Sequence, residues 1–486
     1  MKIRVKIFGP VMAVSLILPL WIGQETHAGT CQVRKIAAAE NYDPQYLKDV
    51  NGTLFFSADD SVHDRELWKS DGTEAGTVMV KDILRPPSSG GSVPTKLTNV
   101  NGTVFFSAGQ TSLGGEPIRE LFKSDGTEAG TIMVKDLNGM NPGAPDWLTN
   151  VNGTLFFTAS DIGEVESELW KSDGTEAGTV MVKDINETVR PGFPDDSSNP
   201  MHLTAAGNLL FFTADDGEHG RELWKSDGTE AGTVMVEDIW ALTLSSDPAE
   251  LTHHQIIVAF SADDGLSGRE LWGSALGFGA YLIKDIRTVF GYPALSSDPE
   301  FLTSIGGTLF FAATAADGTA RELWKSDGTE AGTVLVKDIN PLTDSSPQDL
   351  INVNGSLYFS ADDGVNGREL WKSNGTAAGT VMVKNINPLG DSLPEGFTNV
   401  NGKLYFSADD GVNGRELWTS DGTTSGTIMV EDIQPLAGAG SDPEWLTNVN
   451  GTLYFSASGG LWKCYEIEDD FPWELFLPAI TKKRGM

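Results

Sequence analysis

Cysteine is nearly absent from this chain, with two in 486 residues. That excludes a disulfide-dense scaffold and a cysteine-based zinc cluster. Positive charge is scarce as well: 34 Lys and Arg stand against 68 Asp and Glu, a formal net charge of -34. A nucleic-acid binder needs Lys and Arg to displace counterions from phosphate, so that class is excluded. Six His do not by themselves define a Ser/His/Asp set. No window carries sustained helical periodicity, and beyond residue 28 no apolar run approaches the roughly 20 residues of a membrane span. What is present argues for order. Hydrophobic residues make up 40%, with 23 Phe and 13 Trp, enough to bury a core, and 55 Gly imply many turns. The length suits two or three ordinary domains or one large array.

Residues 1–28 read as an export signal. Lys2, Arg4 and Lys6 precede an apolar run from Val11 to Ile22, and Thr26-His27-Ala28 places small residues around a cleavage site. An uncleaved anchor is the alternative, and the shortness of the run weighs against it.

Self-similarity governs the rest. Asn-Gly-Thr-Leu-Phe-Phe starts at Asn51 and returns, with drift, at 101, 152, 207, 255, 306, 354, 401 and 450. Glu-Leu-Trp starts at Glu66 and returns at 120, 168, 222, 270, 322, 369 and 416, with Gly460-Leu461-Trp462 as a degenerate ninth copy; successive copies lie 44 to 54 residues apart. Asp-Gly-Thr-x-x-Gly-Thr starts at Asp71 and returns at 125, 173, 227, 327 and 421, with a variant at Asn374. Each copy predicts four short strands, a to d. In the second copy a is Leu97–Val100, b is Thr103–Ala108, c is Glu120–Ser124 and d is Thr131–Leu137. Asn-Gly makes the a–b turn, and Asp-Gly-Thr-Glu-Ala-Gly the c–d turn. Four strands in each copy match a propeller blade, so the expected fold is an all-β single β-propeller over residues 29–464, with about nine blades and eight as the alternative.

The ends predict closure. The last copy lacks strand d, and Thr30–Ile36 aligns with Thr77–Ile83, so the N-terminal strand is expected to complete the ninth blade. Cys464 then takes the place of Ser70 and Cys31 that of Val78, nearly opposite across the hairpin. A Cys31–Cys464 disulfide would lock the ring, contributing roughly 4–5 kcal/mol in the chain-entropy model. The alternative is two unrelated free thiols.

Glu-Leu-Trp-Lys-Ser-Asp-Gly-Thr-Glu-Ala-Gly-Thr, at 66–77 and 222–233, resembles the ELWxxDGTxxGT repeat of exported bacterial proteins. The resemblance covers nearly all of residues 44–463. It implies a secreted or surface β-propeller-like array, with no established activity and no catalytic residues to carry over. The fifth copy departs from it: 273–279 replace the Asp-Gly-Thr turn, and His253-His254-Gln255-Ile256 replaces Val-Asn-Gly-Thr. Phe122 replaces Trp in the second copy.

In a propeller the a–b and c–d turns share one rim and the b–c and d–a loops the other. The latter pair varies in length here, so that rim is the expected functional face. Its richest polar feature is Asp-Asp-Gly: Asp215-Asp216, Asp263-Asp264, Asp362-Asp363 and Asp409-Asp410, with a relative at Asp59-Asp60. These offer hard oxygen ligands for Ca²⁺, the one candidate cofactor, although none is required; their spacing is not that of an EF-hand. Turn capping is the bland reading and the favoured one. Trp68, Trp170, Trp224, Trp272, Trp324, Trp371, Trp418 and Trp462 could be sugar-stacking platforms, but burial between blades explains their period better. Glu66 and its equivalents need partners, backbone or a neighbouring Lys. His253-His254 is a metal pair or drift in a turn. The tail, 465–486, runs acidic, apolar, then basic, and is either flexible or docked, or a surface-retention signal.

The leading expectation is an exported, non-enzymatic binding or cell-surface module, monomeric, for an extracellular protein or glycan, without nucleic acid or a membrane span. A polysaccharide lyase or hydrolase with its site in the central funnel is the second reading, and a calcium-stabilised envelope or matrix protein the third. A non-repeated cluster of His, Arg, Tyr or carboxylates at the channel mouth would favour the enzyme.

Overall fold

The computed structural model describes residues 31–36, 42–84, 91–111, 117–137, 143–160, 167–187, 197–276, 278–288, 295–315, 320–435 and 438–466. The expected export signal and the tail after residue 466 lie outside them. Among the described residues there are nine four-stranded antiparallel sheets and no helix, so none is long and apolar enough to cross a membrane. The sheets form a ring: a nine-bladed β-propeller.

Blade one shows why the sequence folds this way. Its strands are Gln45–Val50, Thr53–Asp59, Arg65–Ser70 and Val78–Lys81, paired in that order. The a–b turn puts Asn51 at φ 51° and Gly52 at φ 86°, the double left-handed conformation of a tight hairpin. Side chains then alternate between two partners. Leu54, Phe56, Ala58 and Trp68 pack against Val449, Tyr454 and Leu461 of blade nine. Val50, Phe55, Leu67 and Val80 pack against Leu97, Val104, Phe106 and Phe122 of blade two. The same division recurs at every junction, which places the core between blades and buries seven of the repeat Trp there, Trp462 being partly buried, so they do not form a sugar-binding surface.

Most polar groups of the twelve-residue motif have identifiable partners, the buried Trp68 indole N–H being an exception. Lys69 Nζ donates to Gly126 O in the turn of the next blade, at 2.7 Å. Ser70 Oγ bonds Thr77 Oγ1 at 2.7 Å and accepts from Gly72 N at 3.0 Å. Asp71 Oδ1 accepts from Thr73 N and Thr73 Oγ1 at 2.8 and 2.7 Å, and a Cβ at Gly76 would strike that carboxylate. Lys135, a strand-d residue, donates to Thr179 O of the following blade with its ammonium 5.4 Å from the Trp170 ring centroid.

Glu66 is fully buried and holds the crossing to blade two. Its carboxylate accepts from Ile83 N, Leu84 N, Ser92 N and Ser92 Oγ, between 2.5 and 3.3 Å. The expected partners were backbone or a Lys, and backbone with a Ser hydroxyl is what the fold supplies. Blade nine has Gly460 in this position and keeps only the backbone tie of that crossing, Asp43 N to Gly459 O, the counterpart of Val93 N to Arg65 O in blade one. On the inner side, Thr98 Oγ1 donates to Leu148 O of the next blade at 3.2 Å, and Thr447 Oγ1 closes that circle on Leu47 O at 3.3 Å.

Closure is as expected, with one correction. Blade nine combines Glu444–Val449, Thr452–Ala457 and Gly460–Tyr465 with the N-terminal strand Gln32–Lys35. Val33, not Thr30, takes the place of Thr77, because it pairs with Cys464 as Thr77 stands opposite Ser70. The closing strand is thus three residues away from the sequence alignment; the buried Ile36 occupies the core position of Val80, not that of Ile83. Cys31 and Cys464 are nevertheless disulfide-bonded, with Cα atoms 5.3 Å apart across a separation of 433 residues. The bond is compatible with an extracytoplasmic location.

Two predictions follow from these ties. Replacing both cysteines by Ser should lower the melting midpoint by about 5 °C in calorimetry, since a loop this long contributes several kcal/mol; an unchanged midpoint would deny the bond a stabilising role. Burial pushes Glu120, Glu168, Glu222, Glu270 and Glu369 up to about 7, against an unfolded value near 4.5. The folded chain therefore holds protons that the unfolded chain releases, and this stability is present below about pH 4.5 and lost as pH rises through 7. The histidines act in opposite directions, His63 and His219 being raised by the hydrogen bonds they donate to Asp60 and Asp216, His202 and His254 lowered by burial. The midpoint should fall from pH 5 to pH 8, and Glu222→Gln with Glu270→Gln should flatten the slope.

Candidate functional site

The b–c and d–a loops do share one rim, where backbone bonds join them: Asp215 N donates to Ser198 O and Asp263 N to Ser246 O, each at 3.0 Å. The Asp-Asp-Gly residues sit there as turn caps. Asp215 accepts from Gly217 N at 2.7 Å, and Asp216 from Glu218 N, His219 N and His219 Nδ1 at 2.8–2.9 Å. Asp263 and Asp264 cap Gly265, Leu266 and Ser267 in the same way. Asp362 and Asp363 cap Gly364, Val365 and Asn366, and Asp409 and Asp410 cap Gly411, Val412 and Asn413. These bonds hold the Asp216, Asp363 and Asp410 carboxyls below the usual range although burial acts to raise them. Among the described residues, no three His, Cys, Asp or Glu side chains converge as a metal site. On the opposite rim His254 is buried, with Nδ1 2.8 Å from Ser304 Oγ of the next blade, while His253 is exposed.

The structure brings together a set that the repeat-based reading passed over. Strand a is innermost, and in every blade it carries a bulge after its first residue. The second residue there takes positive φ: Tyr46, Lys96, Trp147, His202, Glu250, Phe301, Asp349 and Trp445 lie between 53° and 59°, and Gly396 at 68°. Left-handed backbone is unfavourable for bulky side chains, and Gly is its natural occupant. Eight of these nine positions are not Gly, and no two neighbours around the ring are alike. In seven blades a Thr two residues on locks the conformation, Thr98 Oγ1 donating back to Lys96 O at 3.0 Å and Thr149 Oγ1 to Trp147 O at 2.8 Å; blades one and seven have Lys48 and Ile351 there.

These side chains form a collar at the channel mouth, on the expected rim. Tyr46 and Trp445, from blades one and nine, have ring centroids 4.8 Å apart; Trp147 and His202, from blades three and four, 5.1 Å. Trp147 and Trp445 remain 37% and 39% exposed, unlike every buried repeat Trp. Lys96 Nζ lies 2.9 Å from Asp146 Oδ1, and Glu250 Oε2 accepts from Phe301 N at 2.7 Å. Burial lowers the His202 imidazole, so it is neutral at neutral pH. Arginines from strand c brace the collar from behind. Arg119 donates to Thr95 Oγ1 at 2.6 Å and Ser107 O at 2.7 Å, and Arg321 and Arg415 pair with Glu300 and Glu395 at 2.9 and 3.1 Å. The signal was in the sequence: ahead of the recurring Leu-Thr-Asn-Val, the second residue of strand a ranges over aromatic, basic, acidic and glycine residues.

No protein-family model and no curated protein matches the chain. Solved structures with similar folds include the β-propeller domain of the Trilobed protease from Pyrococcus furiosus, at 12% identity and TM-score 0.37, covering 70% of this chain and 98% of that one. A prolyl endopeptidase gives 13% and 0.40, covering 78% of this chain, which spans 55% of that protein. BamB from Moraxella catarrhalis gives 10% and 0.33, covering 75% and 89%. These likenesses are of fold alone.

Carboxylates used as turn caps predict one melting midpoint in EDTA and in millimolar Ca²⁺. A higher midpoint with Ca²⁺ would assign the Asp-Asp-Gly loops to the metal.

Proposed function

We propose that this chain is an exported binding propeller whose ligand sits at the channel mouth, on the collar. One observation carries the reading. The repeating residues traced above serve the scaffold, whereas the collar combines non-repeating side chains, exposed aromatic rings among them, with a backbone conformation unfavourable to them. Strain of this kind is kept where a surface has work to do. The Cys31–Cys464 bond supports an extracytoplasmic setting.

The collar holds His, Tyr and carboxylates, so it meets the composition set out for an enzyme. Its connectivity favours binding. Among the described residues His202 bonds no Ser, Asp or Glu, and Lys96 is taken by Asp146, so no nucleophile is assembled with its base.

Trp147→Gly with Trp445→Gly tests the proposal. Relief of left-handed strain should offset the lost ring contacts and keep the melting midpoint within about 2 °C. Any ligand found by probing glycan and peptide arrays with the full chain should bind the variant at least about tenfold more weakly. Equal binding by both proteins would move the site away from the collar.

A further inference from the structure

The geometry points to a cationic polypeptide segment, one bearing Lys or Arg side chains, as the ligand of the collar; this rests on the binding reading above. Two features select the charge. The faces of Trp147, Trp445 and Tyr46 carry the negative side of the aromatic quadrupole, which attracts ammonium and guanidinium groups. The acidic and basic groups around them are unevenly matched. Lys96 is neutralised by Asp146, and Arg321 and Arg415 by Glu300 and Glu395. Asp349, a collar residue, and Glu444, next to Trp445, accept no hydrogen bond among the described residues, and Asp349 feels Glu395 as a like charge as well as, more weakly, the Arg368 guanidinium. Two carboxylates at the mouth thus have no bonded partner among the described residues, against one further exposed lysine of the inner strands, Lys48, so the local balance is acidic. The chain's net charge of -34 adds a long-range field of the same sign.

The layout selects a polymer. The aromatics stand at three stations: Trp445 with Tyr46 at blades nine and one, Trp147 with His202 at blades three and four, and Phe301 at blade six. Charged or small residues separate them. A single ammonium compound meets one station; a chain with cationic side chains at intervals engages two or three, and the linked contacts reinforce one another. A neutral glycan would also stack on these rings, but it leaves Asp349 and Glu444 without a bonded counter-charge.

The test is titration of the full, disulfide-closed chain with a labelled (Lys-Gly)4 amide at about 150 mM salt, where attraction beyond about 8 Å is screened. A (Glu-Gly)4 peptide and cellohexaose are the comparison ligands. The lysine peptide should bind and shift the fluorescence of the exposed Trp. Asp349→Asn should weaken it about three- to tenfold, and Trp147→Gly with Trp445→Gly by more than about tenfold. Glu230→Gln with Glu330→Gln, which removes charge from the opposite rim, should change it less than about twofold. Equal loss from the opposite-rim variant and from Asp349→Asn would reduce the binding to bulk charge and overturn the inference. Collar-dependent binding of cellohexaose with none of the lysine peptide would overturn the ligand class and leave the collar site standing. If no ligand, here or on the arrays, depends on the collar, both readings fall.

Discussion

A carboxylate buried in strand c holds this ring in register. Glu66 and its counterparts receive backbone amides from the end of strand d and, in most copies, a Ser hydroxyl from the start of the next inner strand. One side chain thus gathers both ends of the crossing that carries the chain from blade to blade. A buried charge or acid without partners would be costly, so once this group is inside, the crossing has few ways to run. The path it takes delivers strand a at one depth and one angle each time. The bulge, the Thr that locks it and the collar residue above it depend on that delivery.

This ordering separates two kinds of conservatism within one chain. Residues of the twelve-residue motif are constant because each touches something: Leu67 the following blade, Trp68 the preceding one, Lys69 the next turn, Asp71 its own backbone. The second residue of strand a touches mainly its counterparts in neighbouring blades, so a change there costs the scaffold little. A rigid repeat that leaves this inner position free to vary offers a ring of nine choices.

Much of this was legible beforehand, for identifiable reasons. Period-two alternation and Asn-Gly turns specify strands and hairpins locally, so blade boundaries, blade number and the buried Trp followed from the text of the chain. The disulfide was legible because a missing strand at one end matched a spare strand at the other. The register of that strand was not. Thr30–Ile36 mimics Thr77–Ile83 in letters, but the closing strand pairs without the bulge found between Leu67 and Trp68, and Ile36 must fill a core position, which moves it three residues. The collar escaped because repeat comparison rewards what recurs, and positive φ leaves its usual trace only at Gly396. The Asp-Asp pairs drew attention for the opposite reason: they recur, and recurrence here marks turns.

The borrowed strand also sets an order of events. Blades one to eight are each built from contiguous chain and can form as their own residues become available, with contacts that are local or reach only the previous blade. Blade nine cannot. Gln32–Lys35 is the first described strand of the chain, yet its partner ends at Tyr465, so it must wait unpaired until almost the entire polypeptide has followed it. The earliest segment of the chain is therefore the last to be placed, and an arc of eight finished blades with two open edges precedes the ring. Until the ends meet, those edges are surfaces that a second molecule can occupy, and joining the right pair is the step that separates a closed ring from a tangle of neighbours.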